Sequence, residues 1–144
     1  MTSLLRSKPL LACAAAAACV VLVACGTAVT TSSFRGEERE VAQALSNLQS
    51  HVTGSEQAKV CSDDLASEVV ARLNAAPGGC TAALKEALAE IDSSSLTINS
   101  IQLSGTGAAR SALASVKTTY AGKTRASTVT LIKEAGKWKL RSVS

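Results

Sequence analysis

The sequence predicts an α+β domain in which three to four N-terminal helices pack on an antiparallel sheet of about four strands. In the first half of the chain, apolar residues recur every three or four positions, which is the period of a helix. From residue 95 onward they recur every second position, which is the period of a strand. Helices followed by a run of strands favour helices packed on one face of an antiparallel sheet.

The first helix is predicted over residues 37–51. Val41, Leu45 and Leu48 continue to Val52 at spacings of four, three and four, so they form one stripe of that helix. Acidic residues lie in its first turn, where the helix dipole stabilises negative charge. This stripe is expected to be the part of the helix that packs on the sheet.

Three shorter helical segments are predicted to follow. Thr53-x-x-Glu56 has the pattern of a capping box and would begin a short helix that ends near Cys61. The sequence SDD at residues 62–64 would begin a third helix, which the NAAPGG stretch at residues 74–79 ends. The last helix is predicted from about Thr81.

Four strands are predicted in the second half. Leu96 and Ile98 are out of phase with Ile101 and Leu103, which predicts a bulge at residues 99–100. Alternation then continues in three further segments, over residues 112–120, 124–133 and 137–141. Two loop lengths remain open for the last hairpin: the sequence EAG suits a three-residue loop, whereas the apolar pattern favours a two-residue loop.

The N-terminus has the layout of a secretory signal peptide. Residues 1–8 carry Arg6 and Lys8 without an acid, and residues 9–24 carry no charge. The apolar run is short for a membrane span, which needs about 20 residues. Extension of the run to Val29 would give an uncleaved membrane anchor, which is the alternative interpretation.

The sequence LVAC at residues 22–25 resembles the lipobox of bacterial lipoproteins. The resemblance implies that residues 1–24 are cleaved, that Cys25 is alkylated by diacylglycerol, and that the protein is held on the extracytoplasmic face of the cell membrane. Residues 25–36 are then a lipidated cysteine and a flexible tether, and residues 37–144 are the folded domain. The alternative is an ordinary signal peptide that ends near a cysteine.

Two of the five cysteines would remain free to pair after processing. Cys61 and Cys80 lie in a chain sent out of the cytosol, where disulfides persist. A bridge between them closes a loop of about 20 residues and contributes roughly 3 kcal/mol on the chain-entropy model. A two-cysteine metal site is the alternative, but it needs more ligands and His51 is the only histidine. A disulfide is therefore predicted, and no metal.

Charge is distributed unevenly along the chain. Residues 35–92 hold five Lys/Arg and ten Asp/Glu, whereas residues 93–144 hold eight and one. Such asymmetry suggests intramolecular attraction or a face offered to an anionic partner. The candidate anionic-partner patch consists of Lys133, Lys137, Lys139 and Arg141, and it would meet lipid head groups or acidic envelope polymers. The alternative is a solvated outer face that protects the sheet edge.

The order of the elements resembles the nuclear transport factor two-like superfamily. The resemblance rests on the turn at residues 48–54, the EQAKVCS segment at 56–62, the ALKEAL helix at 83–88 and the strand–Gly turn–Trp–strand sequence at 129–143. It implies a cone-like fold, with three to four N-terminal helices packed on a curved antiparallel sheet around a pocket. That superfamily contains isomerases, dehydratases and non-catalytic binding modules, so the resemblance leaves the function open.

No catalytic residue is predicted. His51 ends the first helix as a boundary histidine, Asp63 and Asp64 are read as helix caps, and Glu134 is read as a solvated acid at a turn. Trp138 is expected to fill the core, with its indole N–H donating to a backbone carbonyl.

The preferred functional hypothesis is a non-catalytic ligand-binding or protein-interaction module of the cell envelope. The alternative is a small isomerase- or dehydratase-like enzyme that acts on a hydrophobic metabolite in the cone pocket. A third hypothesis is a domain that regulates a neighbouring membrane protein, and the sequence alone does not distinguish it from the binding module. No cofactor is expected. Only three aromatic residues are present, which argues against stacking on single-stranded nucleic acid.

Overall fold

The computed structural model describes residues 29–89, 94–120 and 122–144. Within these ranges, four helices precede a four-stranded, open antiparallel sheet, which confirms the predicted α+β class. The predicted signal peptide and Cys25 lie outside the described residues. The helices are α1 (Gly36–Thr53), α2 (Gln57–Lys59), α3 (Ser67–Asn74) and α4 (Gly79–Ala87), and a π-helical turn over Val60–Asp64 follows α2. The strands are β1 (Ser94–Ser104), β2 (Ser111–Tyr120), β3 (Lys123–Glu134) and β4 (Lys137–Val143), and they lie side by side in chain order.

The main core lies between α1 and one face of the sheet. Val41, Ala42 and Leu45 of α1 are fully buried there. Val41 and Leu45 belong to the predicted stripe, whose other members, Leu48 and Val52, are partly buried against a second cluster. Ala112 and Ala114, two small residues of β2, are fully buried in this core. The core is completed by five further residues of the strands, which are Ile101, Val116, Val129, Leu131 and Trp138.

The sheet register confirms the predicted bulge and decides the length of the last hairpin loop. The β1–β2 register shifts between Ile98 and Ser100, where the apolar phase changes. Glu134 pairs with Lys137, so the loop contains only Ala135 and Gly136. Both have positive φ, +48° and +78°. A two-residue turn of this kind matches the twist of the flanking strands, and it keeps the apolar residues of β3 and β4 on one face.

Replacing Ala135 with asparagine should stabilise the protein. Alanine at φ +48° is held in the left-handed region, where a side chain costs about 1–2 kcal/mol and asparagine is better tolerated. We expect Ala135→Asn to add up to about 1 kcal/mol and to raise Tm by roughly 4–8 °C in a domain of this size. Thermal unfolding followed by circular dichroism measures the shift. The control is Ala75→Asn, at an exposed position with φ −73°, and an equal gain in both variants would contradict the explanation.

A second core lies beside β4 and is built by the shorter helices. Val60, Leu65 and Cys80 are buried in it. The sulfur atoms of Cys61 and Cys80 are 2.04 Å apart, at disulfide distance, and the bond joins the π-helical turn to the first turn of α4. Among the residues described, no helix has the length and apolar character that a membrane crossing requires.

Two predicted helix starts are wrong, each for its own reason. Helix α1 continues through Thr53, whose hydroxyl donates to the carbonyls of Gln49 and Ser50, so Thr53 and Glu56 form no capping box. The SDD sequence forms the end of the π-helical turn, and α3 begins only at Ser67. A carboxylate from β3 takes the place of a local cap there: Glu134 accepts hydrogen bonds from the Ser67 backbone N–H and hydroxyl.

The sheet fixes the start of α1 through a half-buried network of charges. Glu37 lies 2.6 Å from the guanidinium of Arg110 and 3.0 Å from Nζ of Lys133. The Arg110 hydrogen bond, and then that of Lys133, hold the pKa of Glu37 below its usual value. Arg110 also donates to the carbonyl of Gly105, so the network joins the β1–β2 loop to the helix. It thereby positions the helical wall of the site described next.

Candidate ligand-binding cleft

A cleft of about 670 Å³ lies between α1, the π-helical turn and the β3–β4 hairpin. Volumes of this size are typical of small-molecule sites. The helix supplies most of one wall, while Asp63 and Asp64 come from the turn, and Gly136, Lys137 and Trp138 come from the hairpin. The cleft therefore gathers residues that are far apart in the sequence.

The helical wall carries a polar stripe along its length. Arg39, Gln43, Asn47 and His51 recur every four residues, so they lie on one side of α1 and line the cleft. The side-chain amide of Gln43 donates to Asn47 Oδ1 at 3.0 Å. Among the described residues, Gln43 Oε1 and the side-chain nitrogen of Asn47 have no hydrogen-bond partner. The four-residue spacing of these polar residues is a signal in the sequence itself, beside the apolar stripe that predicts the buried side of α1.

A histidine–aspartate pair lies at the α1 C-terminal end of the cleft. His51 Nδ1 is 2.7 Å from Asp64 Oδ2. Asp64 is only 8% exposed, and the side chain of His51 is 20% exposed. His51 is therefore the boundary histidine that the sequence predicts, but the sequence does not predict its partner. The other ring nitrogen, Nε2, lies 4.0 Å from Glu56 Oε2. Asp64 is therefore a buried partner of His51, and its predicted role as a helix cap is wrong.

Burial raises the pKa of Asp64 above its ordinary value of 3.8, and the hydrogen bond from His51 only partly opposes this. The folded protein consequently holds this proton to a higher pH than the unfolded chain does. Between the two pKa values the folded state binds more protons, so the contribution of Asp64 to stability falls as the pH rises through that interval.

The Asp64→Asn variant should lack this fall. We expect the difference in unfolding free energy, wild type minus variant, to be greatest below about pH 4 and to decrease as the pH rises. Chemical denaturation in steps between pH 3 and pH 8 measures it. The matched control is Asp63→Asn, which alters the exposed neighbouring carboxylate. Equal difference curves for the two variants, or a difference that grows with pH, would contradict the assignment.

Trp138 forms the part of the cleft nearest the core. Its side chain is buried, as predicted, and Lys133 Nζ lies 5.5 Å from the ring centroid, within the range of a cation–π contact. The predicted hydrogen bond to a backbone carbonyl is wrong: in the part of the chain that the structure describes, the buried indole Nε1 has no partner. Trp138 is also the only tryptophan in the protein.

The four residues of the predicted anionic-partner patch do not share one surface. Lys133 pairs in register with Trp138, so it lies on the helix-facing side of the sheet and binds Glu37 and Glu40. Lys139 donates to the Ser62 carbonyl, and Arg141 binds Glu68. Lys137 lines the cleft and makes no ion pair with any residue that the structure covers. Binding of an anionic partner remains a prediction.

The arrangement provides hydrogen-bonding groups, a buried carboxylate paired with a histidine, and one aromatic ring. No group of three or more His, Cys, Asp or Glu side chains that could hold a metal ion is found within residues 29–89, 94–120 and 122–144. Comparison with protein-family models, with curated proteins and with solved structures found no match to this chain. The fold and the site thus define an α+β domain with a ligand-sized cleft.

Proposed function

We propose that the chain is a lipid-anchored lipoprotein on the extracytoplasmic face of the cell membrane, and that its domain is a binding module of the cell envelope. The basic and apolar leader followed by LVAC at residues 22–25 supports the anchor. A pair of cysteines at bonding distance is in keeping with an oxidising compartment. The single observation that carries the binding function is the cleft between α1 and the β3–β4 hairpin.

The cleft suits a small organic ligand with both polar and apolar parts. The stripe from Arg39 to His51 offers donors and acceptors, while Ala44 and Trp138 offer apolar surface. Pockets that combine an apolar lining with a few placed polar groups are the usual form of a small-molecule site. In this proposal the acyl chains on Cys25 keep the domain at the membrane, since each buried CH₂ group contributes about 0.8 kcal/mol.

The anchor is tested by intact-mass analysis of the membrane fraction. The expected mass is that of residues 25–144 with acyl chains and with two hydrogens fewer than the reduced form. The Cys25→Ser variant is the control and should leave the membrane fraction or retain its leader. Recovery of the unprocessed wild-type chain in the soluble fraction would overturn this part of the proposal.

The cleft is tested through the fluorescence of Trp138, which reports on this site because the chain has no other tryptophan. An organic-solvent extract of the envelope of the producing cell is fractionated and added to the purified protein. A fraction that shifts the emission should lose its effect on the Asn47→Phe variant, which fills the cleft. Ser50→Phe is the control, because Ser50 is exposed on the same helix outside the cleft. Equal responses from the two variants would exclude the cleft.

A second candidate function rests on the His51–Asp64 pair. A buried aspartate that orients a histidine beside a cleft is an arrangement suited to general-base chemistry. The candidate is an isomerase- or dehydratase-like enzyme acting on a hydrophobic metabolite. The two functions are distinguished by incubating the protein with the extract fraction that shifts the emission of Trp138 and then analysing that fraction by chromatography and mass spectrometry. A changed component that depends on His51 supports the enzyme, whereas binding that survives His51→Gln with no changed component supports the binding module.

A further inference from the structure

The outer edge of β1 is unlike the rest of the sheet. Its sequence, SSLTINSIQLS, contains neither proline nor a charged residue. The other three strands that the structure describes all carry Lys or Arg. Natural proteins usually protect an exposed edge strand with charge, proline, a bulge or a covering segment. Within the described residues, the bulge between Ile98 and Ser100 is the one such feature that β1 itself carries.

The opposite edge of the sheet is covered. Leu65 forms a bridge with Leu140 of β4, and the Ala66 N–H donates to the Leu140 carbonyl at 2.8 Å. By contrast, no backbone hydrogen bond joins β1 to anything but β2 within the described ranges. Within the described residues, the chain therefore bridges the β4 edge at Leu140, whereas the outward backbone groups of β1 have no hydrogen-bond partner.

The side chains along β1 would suit a further strand. Thr97 and Gln102 are exposed on the outer face of the sheet. On the inner face, Leu96, Ile98 and Leu103 pack against the core but are only partly buried. A strand added at this edge would satisfy the backbone groups and extend the apolar cover of these three residues.

We propose that β1 pairs antiparallel with β1 of a second copy of this chain, so that the two sheets form one continuous sheet of eight strands. A two-fold axis perpendicular to the sheet brings inner face to inner face and outer face to outer face, so the apolar and polar alternation of one copy matches that of the other. Because β1 carries no charge, its self-pairing places no like charges opposite each other. A neutral edge whose apolar and polar residues match under this symmetry favours a second copy over a charged strand as the occupant.

The bulge limits where the pairing forms. It divides the edge into residues 94–98 and 100–104, each long enough for a short antiparallel ladder. Thr97 lies in the first segment and Gln102 in the second. A lysine placed at either position would lie close to its symmetry mate, and would repel it, only if that segment forms the interface.

The test is the molecular mass of the full chain purified in detergent, measured by light scattering coupled to size-exclusion chromatography. The wild type is expected to have twice the protein mass of a monomer. Thr97→Lys or Gln102→Lys should raise the dissociation constant of the dimer at least tenfold, so that the monomer becomes the main species. High salt should partly restore the dimer, because it screens the repulsion between the lysines. The control is Ala126→Lys, which adds the same charge at an exposed position of the central strand β3.

The outcomes are distinct. If one of the two β1 lysine variants is monomeric while Ala126→Lys remains dimeric, the proposal is supported, and the variant shows which segment of β1 forms the interface. A monomeric wild type at 100 μM overturns it, as does a dimer that neither edge variant affects. A monomer whose β1 amides resist hydrogen exchange would show that another segment of the same chain covers the edge. Circular dichroism confirms that each variant is folded, and none of these readouts depends on the cleft or on its ligand.

Discussion

Replacing Gly105 with alanine is expected to reduce the free energy of unfolding by on the order of 3 kcal/mol. Gly105 lies in the β1–β2 loop with φ +72°, and a Cβ atom there would be 2.1 Å from the carbonyl oxygen of Ala109. That oxygen belongs to the backbone, so no side-chain movement relieves the contact and the loop must change its conformation. The Gly105 carbonyl accepts a hydrogen bond from Arg110, which also binds Glu37. The change should therefore also loosen the start of α1.

The same loop supplies the matched control. Gly107 has φ +55°, and a Cβ atom built on it meets nothing within 4 Å. Gly107→Ala should consequently show only the cost of the left-handed backbone, about 1 kcal/mol. Urea unfolding of both variants measures the difference. Equal losses would mean that backbone conformation alone governs this loop and that the close approach of Ala109 is not important.

Removal of the Cys61–Cys80 disulfide is expected to destabilise the domain by about 3 kcal/mol. The bond spans 19 residues and joins the π-helical turn to α4 across the second core. Without it the unfolded chain gains conformational freedom, and the turn that carries Asp64 loses its covalent connection to α4. The double variant Cys61→Ala/Cys80→Ala is preferred to the corresponding serine variant. Cys80 is buried, so a serine hydroxyl there would have no water to form a hydrogen bond with.

Treatment with reductant separates the contribution of the disulfide bond to stability from the contribution of the two cysteine side chains. Wild-type protein treated with reductant should unfold at a lower denaturant concentration than the oxidised protein. Its midpoint should equal that of the double variant, apart from a small difference because alanine packs differently from cysteine. Reductant should not alter the double variant at all. An unchanged unfolding midpoint for the reduced wild type would contradict the expected contribution of the bond, and the fluorescence of Trp138 provides the measurement.

Sequence and structure divide at contacts between distant parts of the chain, such as the ion pair of Arg110 with Glu37. The sequence predicted local features well. The spacing of Val41 and Leu45 predicted the buried stripe of α1, and the phase change between Ile98 and Ile101 predicted the bulge in β1. Each of these follows from a period within one element, so no knowledge of the neighbours is needed.

Only the tertiary structure decided how α3 begins and where the cleft lies. The cap of α3 comes from Glu134, 67 residues after Ser67, so no local pattern could indicate it. The partner of His51 is Asp64, which is buried because the π-helical turn places it beneath α1. Capping and pairing depend on distances through space, and the sequence states only distances along the chain.

The sequence by itself determined the α+β class, the order of helices and strands and the cysteines able to pair, because periodicity and composition are properties of single segments. It also carries the whole argument for the lipid anchor. The tertiary structure decided the site, because a cleft exists only where α1, the turn and the hairpin meet, and each supplies side chains whose roles depend on the other two.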